Sequence, residues 1–269
     1  MTDNRILLDT EFLIGEKDGA VGRMIFNNPE QRNAVKLAMW DAMPTVIDAF
    51  EKDDDIKVVV LQGAGDKAFI SGADISEFEE RRSTPESAKH YENVAERAMN
   101  RLSKCGKPTI AMIRGWCIGG GAGIAISCDL RMASDDSRFG VPAAKLGVGY
   151  RVGGIAKLVD LVGPSFAKEI FYTGRAFDAR EALTMGMVNR LFAPDDLQAG
   201  VDNYCDIIAG NAPLTISSVK QMVDQIIDHK NPIDWDVCEA LVDECFASED
   251  YVEGRNAFME KRKPVFRGR

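Results

Sequence analysis

A chain of 269 residues, 45% hydrophobic and 28% charged, has the material for one large buried core, as a single domain or a domain with an appendage. Its net charge of −9 argues against nucleic acid and anionic membranes as main partners, and an anionic ligand would need a local cluster of Lys and Arg. The six cysteines, at 105, 117, 128, 205, 238 and 245, show no CxxC pairing, which predicts reduced thiols in a cytoplasmic protein and no metal site.

The amino terminus, MTDNRILLDTEF, lacks the basic-then-apolar pattern of a secretory signal, and no long apolar span follows it. Residues 6–14 and 20–26 read as a hairpin with its turn over 15–19. A polar loop at 27–33 leads to helical periodicity over 36–51. Residues 57–62, KVVVLQ, make a short buried strand, and after a turn at 63–67 the run 68–70 enters Ser71, Gly72, Ala73 and Asp74. Residues 77–84 are charged and read as a mobile loop, and 86–104 are helical. His90 lies in that polar helix, and His229 ends the amphipathic run 219–228. Both read as solvated helix residues, so neither a histidine triad nor a multi-histidine metal site is expected.

The strongest signal is the segment 108–134, PTIAMIRGWCIGGGAGIAISCDLRMAS. An apolar β-branched run ends at Gly115, Gly119, Gly120 and Gly121 follow, and a small apolar run reaches Cys128 and Asp129. That is strand, tight turn, buried helix. Glycines at a helix start let a ligand approach bare backbone, and the free N–H groups there favour negative charge. Because Ser71, Gly72, Ala73 and Asp74 also follow a strand, the two turns can point N–H donors into one space. Two such donors make an oxyanion hole for an acyl group, and each is worth about 3 kcal/mol in a transition state. The glycines suit neither a nucleotide P-loop, since no Gly-Lys-Ser/Thr follows, nor a dinucleotide fingerprint. Gly115-Trp-Cys-Ile-Gly119 has nucleophile-elbow spacing, but Cys117 has only His229 downstream as a base, so a packed cysteine under a turn is expected.

Short strands follow at 129–133 and 139–140. Glycines 147, 149, 153 and 154 mark a second glycine-rich turn opening a helix over 155–162. From 165 onward the chain reads as helices at 165–172, 179–186, 195–210, 214–229, 233–247 and 250–261. The fold class is α/β, a core over 1–195 with a helical region over 196–269.

At these residues the chain resembles the crotonase superfamily, the enoyl-CoA hydratase/isomerase family, from about residue 8 to 267. Asn28-Pro-Glu-Gln-Arg-Asn-Ala-Val35, Phe69-Ile-Ser-Gly-Ala-Asp-Ile-Ser76, Gly119-Gly-Gly121 with Cys128-Asp129, Phe139-Gly-Val-Pro142 and the ending 253–264 carry the likeness. It implies a ClpP-like spiral of ββα turns, a C-terminal helical trimerisation region, and a homotrimer or dimer of trimers. It also implies acyl-CoA thioester substrates, with coenzyme A as part of the substrate and no permanent cofactor. By position, the backbone N–H groups of Ala73 and Gly120 would be the oxyanion donors. Asn33 and Ala34 would lie by the CoA adenine, Ser71, Asp74 and Ile75 would belong to the first oxyanion loop on the CoA side, and Lys261 would meet a CoA phosphate beside Arg262 and Lys263.

Two departures qualify the resemblance. Hydratases of the family use two glutamates, and the matching positions here are Gly123 and Ala143, which can neither accept nor donate a proton. Tyr150 and Arg151 stand where many relatives carry Pro-Gly, in a partial likeness to the methylmalonyl-CoA decarboxylase branch, which has a histidine where this chain has Ala73. Three readings stay open at this point. The first is enolate chemistry with Tyr150 as acid and Arg151 reading a carboxylate, as in a malonyl-type decarboxylation. The second is a catalytically silent acyl-CoA-binding paralogue. The third is hydration using Asp74 or Glu77. Arg151 can equally cap its turn and pair with an outside acid.

Overall fold

Runs such as VVVL and TIAMI bury both faces of a strand, which suits a parallel sheet covered on each side. The computed structural model describes residues 4–77, 84–228 and 231–269. In it, β1 (Leu13–Asp18) and β2 (Val21–Phe26) form an antiparallel hairpin. β3 (Val58–Gly63), β5 (Thr109–Ile113), β7 (Leu130–Ser134) and β10 (Arg190–Phe192) extend it in parallel, in the order β1-β2-β3-β5-β7-β10. A smaller sheet holds β4 (Ala68–Ile70), β6 (Trp116–Ile118), β8 (Arg138–Gly140) and β9 (Phe177–Asp178), the first three parallel.

Each strand of the large sheet from β3 to β7 is followed by one of the small sheet and then by a helix. Thus β3–β4 leads to α2 (Pro85–Ser103), β5–β6 to α3 (Gly120–Ala125), and β7–β8 to α4 (Ala143–Leu146) and α5 (Val152–Thr173). This is the ββα spiral that the resemblance implied. Earlier in the chain, α1 (Leu37–Lys52) buries Met39, Trp40, Met43, Val46, Ile47 and Phe50, a helical stripe facing the large sheet.

Side chains alternate across the large sheet. Val59, Leu61, Ala111 and Ile113 join the main core. Val58, Val60, Ile110 and Met112 face the other way, where Leu197, Val201 and Cys205 of α7 (Leu197–Ala209) cover them. So the first helix assigned by sequence to the helical region seals the back of the core. Between α5 and α7 lies α6 (Ala179–Thr184), and the chain ends in α8 (Pro213–Ile227), α9 (Trp235–Ala247) and α10 (Glu249–Glu260).

Several expected boundaries move. Gly15 lies inside β1, paired with Met24, where a Cβ would come 2.8 Å from Ile6 Cδ1 and 2.9 Å from Val46 Cγ1, and the hairpin turns at Gly19 instead. Residues 116–118, read as turn, are a strand, and β9 and β10 interrupt the stretch read as helical. Gly153 and Gly154 sit within α5, which breaks at Gly163 before Pro164. Most of the charged stretch 77–84, namely 78–83, and His229 lie outside the described residues.

Candidate active site

The two glycine-bearing turns meet because β4 and β6 run side by side, Ala68 paired with Trp116 and Ile70 with Cys117. In the first turn, Val35 N–H donates to Gly72 O at 2.8 Å and Asp74 N–H donates to Val35 O at 3.0 Å. This single parallel bridge between Val35 and Ala73 uses the groups flanking Ala73, so the Ala73 N–H faces the opposite side. In the second turn, Gly119 has φ 55° and donates its own N–H to Gly140 O at 2.9 Å. That backbone is unfavourable for a side-chain-bearing residue, and it delivers Gly120 as the first residue of α3, with no acceptor one turn back.

A Cβ built on Gly120 would stand 4.0 Å from the Ala73 nitrogen and 3.3 Å from Trp40 Cζ2. One on Gly119 would stand 3.8 Å from Gly72 Cα. The two predicted donors are therefore neighbours, and neither amide has a hydrogen-bond acceptor among the described residues. Gly121 has a packing reason: a Cβ there would lie 2.5 Å from Ile70 O, so only glycine lets α3 press onto β4. Trp40, fully buried beside Gly120, is fixed by its indole N–H donating to Tyr91 Oη at 2.9 Å, and Tyr91 Oη donates to Val35 O at 3.3 Å. That strut ties α1, α2 and the first turn together. Sequence reading missed it, because partners 51 and 56 residues apart leave no local pattern.

Other predicted residues prove to be scaffolding in the first turn. Asn33 is fully buried in left-handed backbone (φ 57°). Its Nδ2 donates to Ala64 O at 2.9 Å and Ala68 O at 2.8 Å, and its Oδ1 accepts from Asn28 N–H at 3.1 Å. That side chain sews the 28–35 loop to β4. Ala34 is buried too, its carbonyl taken by Asn28 Nδ2 at 3.0 Å. Ser71 donates through N–H to Arg32 O at 3.1 Å and through Oγ to Gln31 O at 3.3 Å. Asp74 Oδ1 accepts from Ser76 N–H at 3.0 Å and Ser76 Oγ at 2.7 Å, an Asx-type turn. Ile75 opens the short 3-10 turn Ile75–Glu77. Glu77 Oε2 accepts from Leu37 N–H at 2.8 Å, capping the first turn of α1.

Tyr150 comes to the flank of α3. A Cβ on Gly123 would stand 3.9 Å from the Tyr150 hydroxyl oxygen and 3.0 Å from Met99 Sδ. The ring packs edge-on against Phe171, centroids 4.8 Å apart, and Gly154 makes room for it, since a Cβ there would be 2.9 Å from Tyr150 Cε1. Burial pushes the phenol above its ordinary value, so it stays protonated at neutral pH. The hydroxyl makes no hydrogen bond to any described residue.

Arg151 does not join Tyr150. Its Nε pairs with Glu92 Oε2 at 3.1 Å, its Nη1 with Glu96 Oε2 at 2.5 Å, and its Nη2 donates to Asn93 Oδ1 at 2.8 Å. All three partners are on α2, so of the two expectations for Arg151 the structure has the outside acid. The guanidinium, already gripped, is not placed to read a substrate carboxylate. Lys261 is exposed where α10 ends (φ 56°), with no hydrogen bond or ion pair linking it to either turn. Beside it Arg262 is bound to Glu253 and Glu260.

Ala143, buried, opens α4. Cys117 is buried within β6, and burial drives its thiol far upward, while Cys128 is pushed up to about 12. Neither is a nucleophile at neutral pH. No cluster of three metal-ligating side chains occurs among the described residues.

This architecture, in which a small sheet beside a larger parallel one feeds a glycine-rich helix, defines a class shared with known proteins. The family model for enoyl-CoA hydratase/isomerase matches residues 16–269. The short-chain-enoyl-CoA hydratase of Clostridium acetobutylicum is 36% identical over 257 residues, covering 93% of this chain and 95% of that protein. A peroxisomal Delta(3,5)-Delta(2,4)-dienoyl-CoA isomerase of Arabidopsis thaliana is 28% identical over 267 residues, 95% of this chain and 96% of that one. The crystal structure of an enoyl-CoA hydratase/carnithine racemase from Magnetospirillum magneticum superposes with a TM-score of 0.92 at 35% identity, covering 100% of this chain and 98% of its own. The chain belongs to the enoyl-CoA hydratase/isomerase family of the crotonase superfamily.

Proposed function

We propose that this protein is an acyl-CoA enzyme that holds a thioester oxygen between the Ala73 and Gly120 amides while it becomes an enolate, with Tyr150 as the proton donor. Two converging N–H donors suit charge that grows on oxygen during the reaction more than charge already present. The observation that carries the rest is the Tyr150 hydroxyl 3.9 Å from where a Gly123 side chain would begin. A phenol thus stands beside the position where the family's hydratases are expected to carry a glutamate. The second such position is Ala143, and the nearby carboxylates of Asp74 and Glu77 are engaged with Ser76 and Leu37. With no carboxylate base, water addition to an enoyl thioester would be slow.

An enolate forms without a base when a malonyl-type thioester breaks its bond to CO₂ and leaves the electron pair on the α-carbon. Tyr150 then gives its proton to that carbon, and solvent restores the phenol. For CoA itself, Lys261 and Lys263 supply cations at the end of α10. The exposed Trp235, Phe246 and Phe258 on α9 and α10 support these helices as the oligomerisation region of a trimer or dimer of trimers. Six free cysteines suit the cytoplasm.

Turnover assays test the reading. Malonyl-CoA or methylmalonyl-CoA is expected to release CO₂, with crotonyl-CoA hydrated poorly. Hydration of crotonyl-CoA at the rate of a two-glutamate enzyme would overturn it. Acyl-CoA binding without turnover of any thioester would favour the silent paralogue.

A further inference from the structure

A part-buried cation stands behind α3, and the chemistry above makes no use of it. Lys157, in the first half of α5, places its ammonium between the ends of two other helices. It donates to Ser103 Oγ, at the end of α2, at 2.6 Å and to Ser127 Oγ, just past α3, at 3.3 Å. Ser127 Oγ donates in turn to the Gly123 carbonyl at 2.9 Å. Among the described residues no carboxylate pairs with Lys157. The groups that face it at longer range are Glu96 on α2, Asp224 on α8 and the Cys128 thiol. Burial pulls its pKa below the ordinary lysine value. Desolvating a cation without a counter-ion is costly, so the hydrogen bonds it makes must return stability elsewhere.

Helix α3 is the element that needs support. Its sequence, GGAGIA, is half glycine, each about 1 kcal/mol worse than alanine in a helix, and six residues are too few to hold themselves in helical form. Its last carbonyls are caught from behind, Gly123 O by Ser127 Oγ and Ile124 O by the Cys128 thiol at 3.6 Å. In so short a helix, whatever fixes the last turn also fixes the direction of the first amide, Gly120 N–H.

We propose that Lys157 is a positioning residue: acting through Ser127, it holds α3 so that the Gly120 N–H keeps its aim at the thioester oxygen. The inference rests on the oxyanion reading of Ala73 and Gly120, and one probe separates the two. Acetoacetyl-CoA ionises to an enolate with its own ultraviolet band, so the apparent pKa of the bound ligand reports oxyanion stabilisation without turnover.

The wild-type protein is expected to lower that pKa relative to solution. Lys157→Met is expected to weaken enolate stabilisation about tenfold, a loss on the scale of one impaired donor. Ser127→Ala should show a loss of similar size, and Lys157→Arg should recover most of it. Affinity for CoA alone should be unchanged throughout. A wild-type protein that leaves the ligand's pKa at its solution value would remove the oxyanion reading and this inference with it. If the wild type lowers the pKa and Ser127→Ala does so equally, α3 is not held through Ser127 and the positioning role is overturned, whatever Lys157→Met does. A Lys157→Met protein that folds and lowers the pKa as the wild type does overturns the role too, and should Lys157→Met fail to fold, Lys157→Gln is read in its place.

Discussion

The glycine-rich turns at 119–121 and 147–154 look alike in sequence and differ in what surrounds them. In the first, Gly119 needs its positive φ and Gly121 has the Ile70 carbonyl where a side chain would go, so the backbone is fixed from every direction. In the second, a Cβ on Gly147 or Gly149 would meet nothing within 4 Å, and the loop is held by side chains, Tyr150 on Phe171 and Arg151 on the acids of α2. On the function proposed above, one turn would present main-chain donors to an acyl thioester, while the other is held in place by the side chains it presents.

The largest effect is expected where the second turn meets the first. Tyr150→Phe should lower turnover of the enzyme's thioester substrate by about 100- to 10,000-fold, the usual range for one general acid, with melting temperature almost unchanged. The phenol's raised pKa adds a sign. Because the neutral form donates, the wild-type rate should hold as pH rises past 10.0, the ordinary phenol value, and fall only as the raised pKa is passed. A rate that declines well below that pH would assign the proton to another group. Next in size is Gly121→Ala. The clash with Ile70 O is with backbone, which cannot swing aside, so about 1–3 kcal/mol of stability should be lost. Thermal or urea unfolding measures it, and a variant as stable as wild type would mean that α3 is not pinned to β4.

Much of the first turn was legible in sequence because its information is local. Strand, glycines and buried helix follow one another within 108–134, and with the loops at 28–35 and 69–76 they carry the resemblance that gives the family and the fold. Elements shorter than a period were not legible. Three residues, 116–118 or 190–192, cannot show alternation, so β6 was read as turn, and β10, between the helices read at 179–186 and 195–210, was not read as a strand. Partnerships across the chain were equally hidden. Nothing near Arg151 announces Glu92 or Glu96, which lie 59 and 55 residues away, and nothing near Asn33 announces that its amide is engaged by Ala64 and Ala68. In each case a backbone carbonyl or an acid far along the chain engages the group, and no local pattern announces it.

That clamp gives a smaller prediction. Arg151→Ala removes two solvent-screened ion pairs and one hydrogen bond at the surface. Stability should drop only slightly, and more in low salt than in high. The kinetic consequence separates the two roles considered for this residue. If Arg151 only holds the turn against α2, kcat falls several-fold for every thioester alike, because Tyr150 is less well placed. A rise in KM confined to substrates with a second carboxylate would return Arg151 to the binding site.

The smallest effect should carry the opposite sign. Gly149 has no positive φ and open space around it, so alanine there fits the native backbone while reducing the freedom of the unfolded chain. Gly149→Ala should therefore raise stability by about 0.4–1 kcal/mol, where Gly121→Ala lowers it. Both variants add one methyl group, and because Gly121 lies inside α3, where alanine is the better helix former, propensity alone would favour the variant expected to be destabilised. What differs is the Ile70 carbonyl behind one and solvent behind the other. Equal destabilisation of the two would mean that the turn at 147–154 is as tightly determined as that at 119–121, and the contrast between a turn fixed by backbone contacts and a loop held by side chains would be lost.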